Sequence, residues 1–172
     1  MKKIYGSLLA SVILMSVSQG VSAQAVANAS ATATILTAIS ITKMVDMNFG
    51  NVSVQAQTGG TVILSTAGVR SATGGVTLPA TNGTVTAASF TVTGATLYTY
   101  SITLPVTPFT ISTGSASTNM TVTAFLSNPS ITGTLTAGTQ TLNVGATLNV
   151  GAAQPSGLYT STTGFAVTVN YN

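Results

Sequence analysis

The last nine residues, Gly164-Phe-Ala-Val-Thr-Val-Asn-Tyr-Asn172, limit the possible folds of this chain more than any other part of it. Phe165, Val167, Val169 and Tyr171 alternate with Ala166, Thr168 and Asn170, which is the period of a strand with one face buried. An apolar, uncharged, strand-like chain end is expected to be paired in a sheet rather than to fray in water. Any fold for this sequence therefore has to give that stretch a partner strand, in its own domain or in a neighbour.

The rest of the chain repeats the theme at intervals of roughly ten residues, with Gly, Asn, Ser and Pro between short β-patterned runs, the spacing of a sandwich or barrel. Strands are expected over residues 33–42, 44–50 (closed by a Phe49-Gly50-Asn51 turn), 61–65, 76–78, 88–92, 97–104, 109–111 and 120–126. Within 97–104, Tyr98, Tyr100, Ile102 and Leu104 share one face. Thr dominates the other face, where its branched Cβ suits a pleated surface and its hydroxyl tolerates water. The hexapeptide Thr141-Leu-Asn-Val-Gly-Ala146 recurs as Thr147-Leu-Asn-Val-Gly-Ala152. Two copies are too few for a stacked β-helix, so the pair reads as two short strand pieces with Gly145 allowing a bulge or corner. The fold class expected is all-β, a single antiparallel β-sandwich of immunoglobulin-like type. Its core includes Phe49, Phe90, Tyr98, Tyr100, Ile102, Val167 and Val169.

Domain organisation follows from the N-terminal end. Lys2 and Lys3, an apolar run over residues 8–17 and small residues at 21–23 have the three parts of a secretory signal, so residues 1–23 are expected to be removed. That apolar run is shorter than the ~20 residues of a membrane-spanning helix. Residues 24–34 then form an extended segment with Ala25, Ala27, Ala29, Ala31 and Ala33 on one side, a candidate donor strand. Residues 35–172 form the sandwich.

Composition decides which functions to exclude. Charged residues are 3% of the chain and hydrophobic residues 45%, against roughly a quarter charged in ordinary globular domains. The formal charge of +3 comes largely from Lys2 and Lys3. Once these are gone, Lys43 and Arg70 face Asp46, and two separated cations make neither a phosphate-tracking patch nor a polybasic membrane anchor. The chain has no His, no Cys and one acidic residue. It thus lacks the base, the activated nucleophile and the paired carboxylates that catalysis requires, and no cofactor or metal is expected. Lys43 and Asp46 read as a surface polar pair.

Asp46-Met-Asn-Phe-Gly50, Phe90-Thr-Val-Thr-Gly94, Asn143-Val-Gly-Ala-Thr-Leu-Asn-Val-Gly151, Gln154-Pro-Ser-Gly-Leu-Tyr159 and Val167-Thr-Val-Asn-Tyr171 together resemble the secreted bacterial family called domain of unknown function 4402. The resemblance implies an extracytoplasmic β-sandwich and no established activity. Phe165, Val167, Val169 and the penultimate Tyr171 also look like the ending of chaperone-usher pilins, a resemblance that implies a pilin-like form of the expected sandwich. The expectation drawn from these features is a non-enzymatic surface protein, a pilus or fimbria-like subunit assembling by β-strand addition. The assembly residues would be Ala25, Ala27, Ala29, Ala31, Ala33, Ile35, Ile39, Ile41, Phe165, Val167, Val169 and Tyr171. Because Ala side chains fill only shallow pockets, donation is either weak or extends through Ile35 and Ile41. Expected partners are other copies or related subunits, with a periplasmic chaperone in transit. Nucleic acid is not expected as a partner, nor membrane integration after signal removal. Expected location is the periplasm, then the cell surface or an extracellular filament. The alternative is a self-complete adhesin or carbohydrate-binding module. A small outer-membrane barrel fits less well, since the strands are short and aromatics for interface girdles are few.

Overall fold

The computed structural model describes residues 23–114 and 119–172. The signal-peptide reading falls, apart from Ala23, outside the described residues. The chain divides into two units, Met1–Thr34 and Ile35–Asn172. In the first, residues 23–34 carry no strand and every side chain is exposed.

Among the described residues of the second unit there is no helix, and every strand pairing is antiparallel. The strands are β1 Ser40–Val45, β2 Ser53–Val54, β3 Gly60–Leu64, β4 Arg70–Gly74, β5 Val76–Thr77, β6 Ala88–Thr93, β7 Thr99–Thr103, β8 Phe109–Ile111, β9 Met120–Asn128, β10 Thr132–Thr134, β11 Thr139–Val150 and β12 Thr168–Tyr171. A large curled sheet runs β1-β6-β11-β3-β4, and β9 joins it through β11 and carries β8. A smaller sheet, β10-β7-β12, and a two-stranded β2-β5 pair accompany it. This is the all-β, sandwich-like architecture that the alternation implies.

β11 organises the fold. Residues 143–144 pair with both β6 and β9, and 147–149 with both β3 and β9. β9 therefore follows one edge of β11, while β6 and β3 succeed one another along the other edge, changing over at Gly145. The two hexapeptide copies are thus not two short pieces, as the sequence pattern suggests; all but Gly151 and Ala152 lie in one continuous strand of 12 residues. The physical reason is arithmetic. Six is a multiple of the strand period, so both copies present the same face, and Leu142, Val144, Ala146, Leu148 and Val150 are all buried. A bulge does exist beside Gly145, but the extra residue belongs to β9, where Ala124 takes a left-handed φ of 48°. Gly145 itself serves close approach: a Cβ there would collide with the Leu64 carbonyl oxygen.

The changeover divides the core in two. Leu142 and Val144 join Ala88, Phe90, Val92, Leu135, and Tyr100 and Val169 from the small sheet. Ala146, Leu148 and Val150 join Val62, Leu64, Val122, Phe49 and Val76. Met47 and Phe125 pack against both clusters. Charge is replaced on the outer faces by cross-strand hydroxyl pairs, Ser40 with Thr93 and Thr61 with Thr73, each at 2.7 Å.

Of the core residues expected from sequence, Phe49, Phe90, Tyr100 and Val169 are buried, and Ile102 and Val167 are half-buried. Tyr98 is not in the core; it is 45% exposed. Leu97 takes a φ of 69°, which breaks the extended run, so the strand starts at Thr99 and Tyr98 sits before it. The first strand begins at Ser40 rather than near residue 33. Its partner ends where Thr93 faces Ser40, and Gly94 then turns to bond Gly138, leaving residues 33–39 no ladder to join. Residues 44–50 are not a separate strand: Met44 and Val45 complete β1, and Asn48 makes a single bridge to Thr86. The turn that follows is as expected from its Gly and Asn. Gly50 takes a φ of 67°, and its amide donates to Asn48 Oδ1 at 2.8 Å. Strands β2, β4 and β10 do not follow from the sequence pattern, being short and rich in Ser, Thr and Gly.

Candidate assembly interface

The residues expected to mediate assembly fall into two groups. Ile39, Ile41, Phe165, Val167, Val169 and Tyr171 come together against one core cluster. Ala25, Ala27, Ala29, Ala31, Ala33 and Ile35 do not join them; all are exposed, Ile35 at 96%. Because Ile41 pairs with Val92 inside β1, a donor extending that far would have to unzip β1 from β6.

The C-terminal alternation survives in three dimensions. Val169 is buried and Phe165, Val167 and Tyr171 half-buried, while the residues between them are exposed. Ladder bonds cover only Thr168–Tyr171, all to β7. Phe165 is held instead by other rings, in the tilted and edge-on arrangements that aromatic quadrupoles favour. Its centroid lies 4.9 Å from that of Phe125, 5.9 Å from Phe109 and 6.4 Å from Phe90. The Tyr171 hydroxyl accepts from the Ala95 amide at 2.5 Å and donates to the Thr37 carbonyl at 2.7 Å. It thereby ties the last strand to the chain just ahead of β1. Its ring packs edge-on against Tyr98, centroids 5.9 Å apart, which gives that exposed ring its place.

Sheet edges differ in how well they are guarded. β1 carries Lys43 and a register break between Lys43 and Val45, both of which discourage pairing with a foreign strand. Lys43 bonds Asp46 at 2.7 Å with both side chains exposed, the surface pair expected from sequence. β12 has β7 on one side and, on its other edge, no Lys, Pro or bulge.

The site that sequence reasoning missed is a half-open cleft of about 730 Å³ over the second core cluster. Its floor is Val122, Leu148 and Val150, one wall is residues 46–54, and residues 154–161 form the opposite side. The first wall is fixed by Arg70, whose guanidinium donates to the carbonyls of Phe49 at 2.5 Å and Asn51 at 2.9 Å, with Asn82 Oδ1 at 3.3 Å. The opposite side is fixed by the Tyr159 hydroxyl, which donates to the Pro155 carbonyl at 2.7 Å and accepts from Gln154 Nε2 at 2.9 Å. Thr160 adds a two-way backbone bridge to Ser112, both bonds at 2.9 Å. The signal that could have found it is the Gln154-Pro-Ser-Gly-Leu-Tyr159 motif, whose turn residues interrupt the alternation between β11 and β12. Among the described residues, no helix is long and apolar enough to cross a membrane.

Fold and site together define an all-β, sandwich-like domain with an exposed N-terminal arm and a cleft with an apolar floor. The family described as "Domain of unknown function (DUF4402)" matches residues 39–171, and the chain belongs to that family. No curated protein and no solved structure matches it.

Proposed function

We propose that this chain is a non-enzymatic structural subunit of the bacterial surface, exported by its N-terminal signal and assembled into a pilus or fimbria-like filament by β-strand addition. One observation carries the reading. Residues 24–34 are uncharged, alternate Ala with larger or polar residues, and stand exposed without a strand of their own. Strand donation uses such a segment, gaining affinity from main-chain hydrogen bonds and specificity from alternate side chains. The absence of Lys, Pro or a bulge from β12 supports it, since a monomer ordinarily uses such features to protect an edge.

The test is deletion of residues 24–34 from the exported protein. Filaments seen by electron microscopy with the intact chain are expected to disappear, while the thermal unfolding of the domain stays unchanged. Filaments that persist after the deletion would exclude this arm as the donor. The second reading, a self-complete adhesin or carbohydrate-binding module, is favoured by the pairing of β12 to β7 within the same domain. A wild type that remains monomeric at high concentration beside its natural assembly machinery would select it.

A further inference from the structure

We infer that the cleft over Val122, Leu148 and Val150 is the socket for Ile35 of a second copy, packed against the Phe49 and Val52 wall. The inference rests on the strand-addition reading and adds to it the anchor and its receptor. Three observations lead there. First, Ile35 is 96% exposed and Leu36 37% exposed, at the root of an arm with no charged residue between Gln24 and Ile39. Ile35 thus lacks a burial site in its own domain, whereas Leu36 is already largely covered there. Second, the cleft has an apolar floor and a volume of about 730 Å³, within the range of ordinary binding pockets. Its one charged lining residue, Asp46, is already engaged by Lys43 at 2.7 Å. An uncharged segment therefore enters without stripping water from an unpaired ion.

Third, Ile35 cannot reach that wall in its own copy. The Tyr171 hydroxyl holds the Thr37 carbonyl and the Ala95 amide together, just past the end of β6 where Thr93 faces Ser40. The wall begins past the other end of β6, where Asn48 bridges Thr86. The six residues of β6 between these points span about 20 Å. Ile35 is two residues from Thr37, a reach of about 7 Å. The occupant must come from another molecule, and the contact is then head-to-tail, using different surfaces on the two copies. Such contacts propagate into open filaments when the rotation between copies does not close.

The absence of Cys makes the test direct. Ile35→Cys on one preparation and Val52→Cys on another are mixed under mild oxidation at a concentration where the wild-type chain assembles. A disulfide-linked heterodimer is expected, well above the yield from Ile35→Cys mixed with Ile131→Cys, whose site is exposed and outside the cleft. Ile35→Asp should raise the concentration needed for assembly at least about tenfold. Its thermal unfolding should match the wild type, since the side chain is already in water. Equal cross-linking at Val52 and Ile131, or unchanged assembly of Ile35→Asp, overturns the socket. If filaments form and vanish on deletion of residues 24–34 yet show neither effect, strand addition stands and the socket is overturned, the anchor lying elsewhere in the arm. If the wild-type chain never assembles, both readings fall.

Discussion

Tyr100 shows how one side chain can hold two sheets in register. It is fully buried, and its hydroxyl donates to Gln140 Oε1 at 2.9 Å, which also accepts the Thr134 amide at 2.8 Å. A Cβ on Gly133 would strike the Tyr100 ring, so only glycine lets β10 lie this close. Burial raises the phenol above its ordinary value near 10. In the unfolded chain it loses its proton first, so above about pH 10 the unfolded state binds fewer protons and stability falls as pH rises. Below that the contribution is constant. Denaturant midpoints across pH 8 to 11 should therefore be flat and then decline, and the decline should be shallower in Tyr100→Phe. Val169 makes the complementary case. Buried opposite Ile102 on the edge strand, it has no partner for a charge, so Val169→Asp should cost about 3 kcal/mol or more in urea unfolding. A folded variant of unchanged midpoint would remove this strand from the core.

Among the elements, β11 shows most clearly how the sequence encodes the fold. The hexapeptide repeat is visible, and its even period already implies one face throughout. What is not visible is that one edge changes partner halfway, because partner identity depends on strands distant in sequence. Gly145→Ala places a methyl against the Leu64 backbone at the changeover. It should destabilise by about 1–3 kcal/mol, the usual cost of overpacking, read from the denaturant midpoint. The clean alternation of residues 164–172 and the Phe49-Gly50-Asn51 turn are fully legible, since period two and left-handed glycine are local facts. The start of β1 is not, because residues 33–39 have strand-like side chains and fail only for want of a ladder. β4 escapes notice for the converse reason. Its Ser, Thr and Gly carry no apolar rhythm, yet β3 pairs with it along all five residues. The cleft is marked locally only by the turn residues of 154–159; its other side comes from a distant segment, and the role of Arg70 in fixing that side leaves no local trace.

At the scale of the whole molecule, stability rests on two apolar clusters sharing one strand, without disulfides and with almost no charge. Hydroxyl pairs and threonine-rich outer faces stand where most surfaces carry Lys and Glu. The shared strand also sets a timetable. Translation delivers β3, β6 and β9 before β11, so one cluster lacks its share of that strand until Val144 has emerged and the other until Val150 has. Pairing between such remote segments is slow to form. Chains generally fold from the N-terminal side as they are made, but here only pairings such as β3 with β4 can form early, while both clusters wait for β11. The order of residues along the chain thus delays the closing of both clusters until most of the polypeptide has been made.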